Sequence, residues 1–144
     1  MTNYDPNYIP KKSFALVGQK AIILNSENKI LLLQRSDKCG AAGKWSLPGG
    51  ALEKGEEPFE SIQREIKEET QLNISDLKPY YVTSSFSEDH DFMVIIAYSC
   101  KAMTDNVNLN WEHDHYLWLS KEKAFQLDLT SNGKLFLEKF DYYL

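Results

Sequence analysis

Apolar and polar positions along the chain fall into blocks that predict strands first, one strong helix in the middle and a helix last. Phe14 to Leu24 is apolar and β-branched enough for a strand. Asn25-Ser26-Glu27-Asn28 is a turn cluster, and Lys29 to Gln34 predicts a second strand, so the two form a hairpin pattern. The unbroken run Ile30-Leu31-Leu32-Leu33 predicts a strand covered on both faces. Pro58 to Thr70 predicts a helix: Pro58 suits the first helical position, and Phe59, Ile62 and Ile66 form one apolar stripe. Glu60 and Arg64 make a favourable i,i+4 pair on it. Tyr80 to Phe86 and Phe92 to Lys101 predict two strands joined by the acidic turn Ser87 to Asp91, and His115 to Leu119 a short one. Ser131 to Phe140 predicts a closing helix packed through Leu135, Phe136 and Phe140. Residues 1–12 read as a polar arm with Tyr4 and Tyr8 as anchors onto the body. The order argues α/β, a mixed sheet between helices.

Length narrows this to one domain over 1–144, since 144 residues with 42% apolar or aromatic positions match the commonest domain size. No apolar run is long enough for a transmembrane helix, and the N-terminus lacks the apolar core of a secretory signal, so it reads as retained. Cys39 and Cys100 are too few for a disulfide framework and lack metal spacing, which makes a reducing, cytoplasmic setting the default. Sixteen bases against 21 acids give a net charge of −5, which excludes unassisted binding to a nucleic-acid polymer. The acid is concentrated. Glu53 to Glu69 holds seven glutamates against Lys54, Arg64 and Lys67, so that segment carries −4.

On a helical wheel Glu65, Glu68 and Glu69 share an arc of about 100°, next to the stripe of Ile62 and Ile66, while Arg64 and Lys67 point away. Like charges at i,i+4 are unfavourable, and more so when partly buried. Two readings are open at this point. One is a solvated acidic helix face. The other is a set of carboxylates gathered for a hard cation, Mg²⁺ or Mn²⁺, that binds a substrate phosphate.

The residues upstream bear on that choice. The string Gly50-x5-Glu56-x7-Arg64-Glu65-Ile66-x-Glu68-Glu69-x-Gln71-Leu72, residues 50–72, resembles the signature of the Nudix hydrolases (MutT-like), G-x5-E-x7-R-E-U-x-E-E-x-G-U with U a bulky aliphatic residue. Gln71 departs from it, where the family has a glycine that ends the helix in a left-handed conformation. The resemblance implies a Nudix-type α/β/α sandwich with a central mixed sheet. It implies metal-dependent hydrolysis of a diphosphate bond in a nucleoside diphosphate derivative, by attack of water at phosphorus. By motif position, Glu65, Glu68 and Glu69 become metal carboxylates helped by the Gly49 carbonyl, and Arg64 pairs with Glu56 to hold the loop on the helix.

The resemblance further implies a carboxylate from a late loop, and Glu112, six residues before Trp118, fits as metal ligand or general base, with Asp114 and Glu88 as rivals. Glu65 and Glu112 share the role of base. Arg35 ends the second strand, where it either forks onto a substrate phosphate or lies on the surface. Trp45 and Phe86 either line a base pocket or serve as packing, and Phe59, Ile62, Ile66, Trp118 and Phe136 read as core. His113 and His115 alternate on a strand and could face one way, but as a zinc pair they lack a third ligand and read as surface or packing residues. The stretch Phe86 to His90 contains neither the proline nor the tyrosine that marks some subfamilies. Elimination favours a nucleoside triphosphate pyrophosphohydrolase releasing nucleoside monophosphate and pyrophosphate. ADP-ribose or nucleotide-sugar hydrolysis is the alternative, and a non-catalytic nucleotide sensor is the reading from another class. The expected partners are a small-molecule nucleotide, with no nucleic-acid polymer and no membrane, and a second copy of the chain if the tyrosine arm serves as a dimer contact. Two Mg²⁺ would bring four positive charges and make the acidic segment locally neutral.

Overall fold

The computed structural model of the chain describes residues 3–142. Seven strands form one sheet. They are β1 (Leu16–Leu24), β2 (Ile30–Arg35), β3 (Trp45–Ser46), β4 (Gly49–Ala51), β5 (Ile74–Phe86), β6 (Phe92–Ala102) and β7 (His113–Leu119). Helix α1 (Pro58–Thr70) lies between β4 and β5, and α2 (Lys121–Ala124) and α3 (Ser131–Lys139) follow β7. The strand path is β3-β2-β1-β6-β5, with β7 on β2 and β4 on β1. The β1–β6 pair is parallel and the β1–β2, β1–β4, β2–β3, β2–β7 and β5–β6 pairs are antiparallel, so the sheet is mixed.

Alternation along the central strands gives the sheet two apolar faces. Ile22, Leu24, Ile30 and Leu32 pack with Phe136, Leu137 and Phe140 around α3. Ala21, Ile23, Leu31 and Leu33 pack with Ile62 and Ile66 of α1. Each fully buried aliphatic side chain here contributes roughly 1.5–3 kcal/mol. The all-apolar run of β2 is therefore buried on both sides, Ile30 to Leu33 all at 0% exposure. One edge of β1 is shared between two strands: Leu24 pairs with Ile30 of β2, whereas Gly18, Gln19 and Lys20 pair with Ala51, Gly50 and Gly49 of β4. That division sets the glycine pair beside Gln19 and Lys20 and under α1.

Several expectations are corrected. Strand β1 begins at Leu16, leaving Phe14 exposed, and the arm residues Tyr4 and Tyr8 are exposed rather than anchored on the body. Strand β5 begins at Ile74, not Tyr80. It is the last strand of the path, and register shifts at Ser75/Lys78 and Pro79/Tyr81 accommodate a proline that an interior strand would reject. Phe59 is not core: it is about half exposed, its ring meeting Tyr98 edge-on at a centroid distance of 5.8 Å. Among the described residues no helix is long and apolar enough to cross a membrane.

Helix α1 keeps the left-handed end of the motif although Gln71 replaces its glycine. Gln71 caps it at φ 60, ψ 15, and its N–H donates to the Lys67 carbonyl. Lys67 braces the same turn, donating from Nζ to the Gln71 carbonyl at 3.2 Å and to Asn73 Oδ1 at 2.9 Å. A residue with a Cβ in this left-handed region is strained by about 1 kcal/mol. Gln71→Gly is expected to keep both Lys67 contacts and to raise the unfolding free energy by about 0.5–1 kcal/mol in urea titration. A loss of stability would show that the strain at Gln71 is already relieved.

Candidate active site

Arg64 organises the acidic segment. Its guanidinium forks onto Glu56, Nε to Oε2 at 2.8 Å and Nη2 to Oε1 at 2.9 Å. Its Nη1 reaches both Glu68 oxygens at 3.2 Å and Glu65 Oε1 at 3.1 Å. The wheel turned Arg64 away from the glutamate arc, while the motif paired it with Glu56. The structure shows that pair and adds Glu68, its i,i+4 neighbour one turn along the helix. Glu56 Oε1 also accepts the Glu53 N–H at 2.9 Å, so the loop before α1 is tied to the helix at two points. The Arg64 hydrogen bonds hold the Glu56 carboxyl down at about 2.

The sign of that shift gives a prediction. A carboxyl depressed in the folded state binds its proton more weakly there than in the unfolded chain. Its contribution is complete above about 4.5 and is lost as pH falls towards about 2. Glu56→Gln is expected to flatten the acid limb of the stability curve between those values, measured as melting temperature against pH. An unchanged acid limb would show that the pair does not couple to folding.

Beyond Arg64, the glycine pair and the helix interlock. Gly49 lies at φ 147, and a Cβ there would collide with the Gln19 carbonyl oxygen. A Cβ on Gly50 would overlap the Glu65 carboxyl group, so the Glu65 carboxylate rests directly on that backbone. The Gly49 N–H donates to Glu69 Oε1 at 3.0 Å. The other Glu69 oxygen lies 3.3 Å from His113 Nδ1, off the line that a hydrogen bond needs, and Nδ1 has no hydrogen-bond partner. Glu69 is 1% exposed. Burial pushes its carboxyl up to about 8, against the pull of the Lys20 charge and the Gly49 N–H. Burial pushes His113 down to about 4, helped by the charges of Lys20 and Arg35. Burial thus favours the uncharged form of both groups over an ion pair. Glu65 is also raised, first by burial and then by the charges of Glu68 and Glu112, with Arg64 opposing.

Glu112, in the turn before β7, is brought to this group. Its charge acts on Lys20, Glu65 and Glu69. Its backbone carbonyl accepts the Ser36 N–H at 2.8 Å, which fixes the turn beside the end of β2. Of the rivals, Asp114 is exposed on β7, and Glu88 is exposed at the turn after β5, on a cleft that Lys20 also lines. His115 is exposed while His113 is buried, because the β2–β7 register shifts between Gln34 and Arg35. Arg35 donates from Nε to the Gly40 carbonyl. Trp45 is half-buried against the α3-side core, its backbone bonded to Asp128 and Thr130. Phe86 is exposed, its ring 5.6 Å from that of Phe92, and does not join the carboxylates.

Two clefts open beside the carboxylates. The larger, of about 520 Å³, has an apolar wall of Leu16, Val17, Met93 and Ile95 and a rim from Glu53 to Glu56. The smaller, of about 410 Å³, includes Arg35, Ser46, Ser87, Glu88 and Thr130. Lys20 and Asn132 line both. Sequence reasoning missed Lys20, although the polar pair Gln19-Lys20 inside an apolar strand was the signal. It also missed His113 as a neighbour of Glu69, which follows only from the fold.

The donor set is all oxygen around Gly49 and Gly50, with no thiolate, and suits a hard divalent cation. Among the described residues no three carboxylate, imidazole or thiol groups are gathered closely enough to hold an ion as they stand. Glu65 and Glu68 face Arg64, and holding a cation requires them to turn from it while Glu56 retains the guanidinium.

A family model described as the NUDIX domain matches residues 16–140. The chain is similar to the nucleoside triphosphatase NudI of Enterobacter sp. (strain 638), at 28% identity over 124 residues, covering 79% of this chain and 88% of that one. Among solved structures it resembles the MutT protein of Methanosarcina mazei Go1, with TM-score 0.77 and 29% identity over 93% of this chain and 98% of that one. It also shares its fold with the NUDIX domain of Shewanella oneidensis NrtR complexed with ADP ribose, with TM-score 0.76 and 20% identity over 95% and 91% of the two chains.

Proposed function

The chain belongs to the Nudix family, a hydrolase acting on phosphoric anhydride bonds, and from that premise we propose a metal-dependent nucleoside triphosphate pyrophosphohydrolase. The observation that carries the reading is the contact of the Glu65 carboxylate with Gly50, beside Glu69 and within reach of the Glu112 charge. Partly buried carboxylates that raise one another's proton affinity are poor neighbours for a phosphate, unless countercharge arrives with it. Glu65, Glu68, Glu69 and Glu112 with the Gly49 carbonyl would hold a divalent cation, which would supply that charge to the phosphates. The choice of a triphosphate is supported by the likeness to NudI, a nucleoside triphosphatase, over most of both chains.

The chain's own residues then divide the work. The apolar wall of the larger cleft takes the nucleoside, and its volume lies in the range of small-molecule sites. Glu65, held against the Gly50 backbone, accepts the proton of the attacking water. Glu112 adds its charge to the group from the turn before β7. Arg64 acts through Glu56, fixing the loop that follows the glycine pair. The test is a panel of nucleoside triphosphates, ADP-ribose, nucleotide sugars and dinucleotides, with Mg²⁺, Mn²⁺ or EDTA, with products identified. Triphosphates turned over to monophosphate and pyrophosphate only with metal support the reading. Preferential turnover of ADP-ribose or nucleotide sugars replaces the substrate. Binding without turnover of any substrate replaces the enzyme with a sensor.

A further inference from the structure

We propose that Lys20 grips the phosphate chain of the substrate at the saddle between the two clefts, and that the smaller cleft, with Arg35, receives the pyrophosphate end. The inference rests on the reading of the protein as a triphosphate hydrolase and adds a residue and a direction to it.

Lys20 stands on β1 opposite Gly49 of β4, the residue whose N–H holds Glu69. Its Nζ makes one hydrogen bond among the described residues, to the Leu47 carbonyl at 3.2 Å. An ammonium has three N–H groups, so two are left for a ligand. The charge of Lys20 is felt by Glu69, yet no carboxylate lies within ion-pair distance of it among the described residues. Arg35 lines the same cleft, and burial first and then the Arg35 charge lower the proton affinity of Lys20, against the pull of Glu69, Glu65 and Glu112. Arg35 makes one hydrogen bond through Nε and no ion pair among the described residues, so its terminal nitrogens remain open to an anion. Two partly covered cations side by side are unfavourable until an anion joins them. Glu88, exposed at the outer lip, is the one carboxylate lining the smaller cleft.

The two clefts differ as the two ends of a nucleotide differ. One has an apolar wall that suits a nucleoside; the other carries hydroxyls and cations that suit phosphate. Lys20 is common to both, which places the scissile linkage across it. In the reaction the water oxygen bonds to the α-phosphorus. The bond from that phosphorus to the bridging oxygen breaks, and its electron pair leaves with pyrophosphate. Lys20 and Arg35 meet that growing charge, and the proton of the water passes to the base carboxylate.

The test uses the full chain, with Lys20→Met, Lys20→Arg and Arg35→Gln. Inorganic pyrophosphate is titrated calorimetrically in EDTA, and kcat and KM are measured for a nucleoside triphosphate and its diphosphate with Mg²⁺. The wild type is expected to bind pyrophosphate without metal. Lys20→Met and Arg35→Gln are each expected to weaken that binding about tenfold or more, and Lys20→Arg to retain most of it. Lys20→Met should also lower kcat and raise KM, with the larger KM increase for the triphosphate. Pyrophosphate binding that is absent from wild type, or equal in wild type and folded variants, overturns the inference. So does a Lys20→Met protein whose only change is tighter Mg²⁺ binding, the mark of a mere counter-ion to the carboxylates. Should Lys20→Met not fold, unchanged pyrophosphate binding in Arg35→Gln is sufficient to overturn it. A wild type that binds pyrophosphate through Lys20 yet cleaves no triphosphate leaves the inference standing and removes the function reading.

Discussion

Glu65→Gln is expected to lower kcat by about three orders of magnitude while leaving the fold intact. The carboxylate rests on the Gly50 backbone, and its side chain is 13% exposed. An amide of the same shape keeps that contact and an acceptor for the Arg64 N–H, so the melting temperature should change little. What disappears is the negative charge and the ability to take a proton. Glu112→Gln separates the two losses. If Glu65 is the base, Glu112→Gln should keep more of kcat and need more Mg²⁺ to reach it, whereas Glu65→Gln should stay slow at saturating metal. Rates for both variants against Mg²⁺ concentration and pH decide this. Full activity of Glu65→Gln at high Mg²⁺ would reduce Glu65 to a metal ligand and move the base to Glu112.

How much of this was legible in the sequence depended on the range of the interaction. Helix α1 was legible because its signals are local, Pro58 at the start and Ile62 and Ile66 on one stripe, whereas its left-handed end at Gln71 was not, since Gln there signals no such cap. Strand β2 was legible because a run apolar at every position needs cover on both faces, and both are covered. The first six residues of β5 were not. Ser75, Asp76 and Pro79 read as breakers, and only the position of the strand at the end of the sheet path makes its bulges tolerable. Strands β3 and β4 are two and three residues long, too short for any period to register.

The site divides in the same way. Glu65, Glu68 and Glu69 were legible as an arc because helical geometry is fixed by spacing. The Arg64–Glu56 pair came with the motif, and the contact with Glu68 is an i,i+4 neighbour that reading Arg64 as pointing away passed over. Lys20, Gly49, Glu69 and His113 come from β1, β4, α1 and β7. The motif joins Gly49 to Glu69, but no local pattern adds Lys20 or His113. Their neighbourhood is made by β1 giving one edge to two partners, which is a property of the sheet.

Glu69 supplies the second large effect. Without metal, Glu69→Gln is expected to be more stable than wild type above neutral pH, and to lose most of the stabilisation that Mg²⁺ confers. The folded carboxyl titrates near 8 instead of 4.5, so the folded state holds a proton that the unfolded chain has released. The stability from that proton is complete below about 4.5 and is lost as pH rises through about 8. His113 slopes the other way. Its ring stays neutral in the fold down to about 4, so stability rises with pH up to about 6.5, the ordinary value. The two offset each other at acid pH and leave a net fall above about 6.5, on the order of 2 kcal/mol by pH 8. Glutamine removes the Glu69 part of that fall. It keeps an oxygen for the Gly49 N–H and sets an amide N–H where the carboxyl proton stood beside His113 Nδ1. Mg²⁺ reverses the wild-type trend, because a cation at the carboxylate drives off the proton and stabilises the fold by mass action. Melting temperatures from pH 5 to 9, in EDTA and in excess Mg²⁺, should show the wild-type curves diverging as pH rises and the Glu69→Gln curves nearly superimposed. Parallel curves for the two proteins in EDTA would mean that Glu69 is ionised in the metal-free fold, with Lys20 as a sufficient partner.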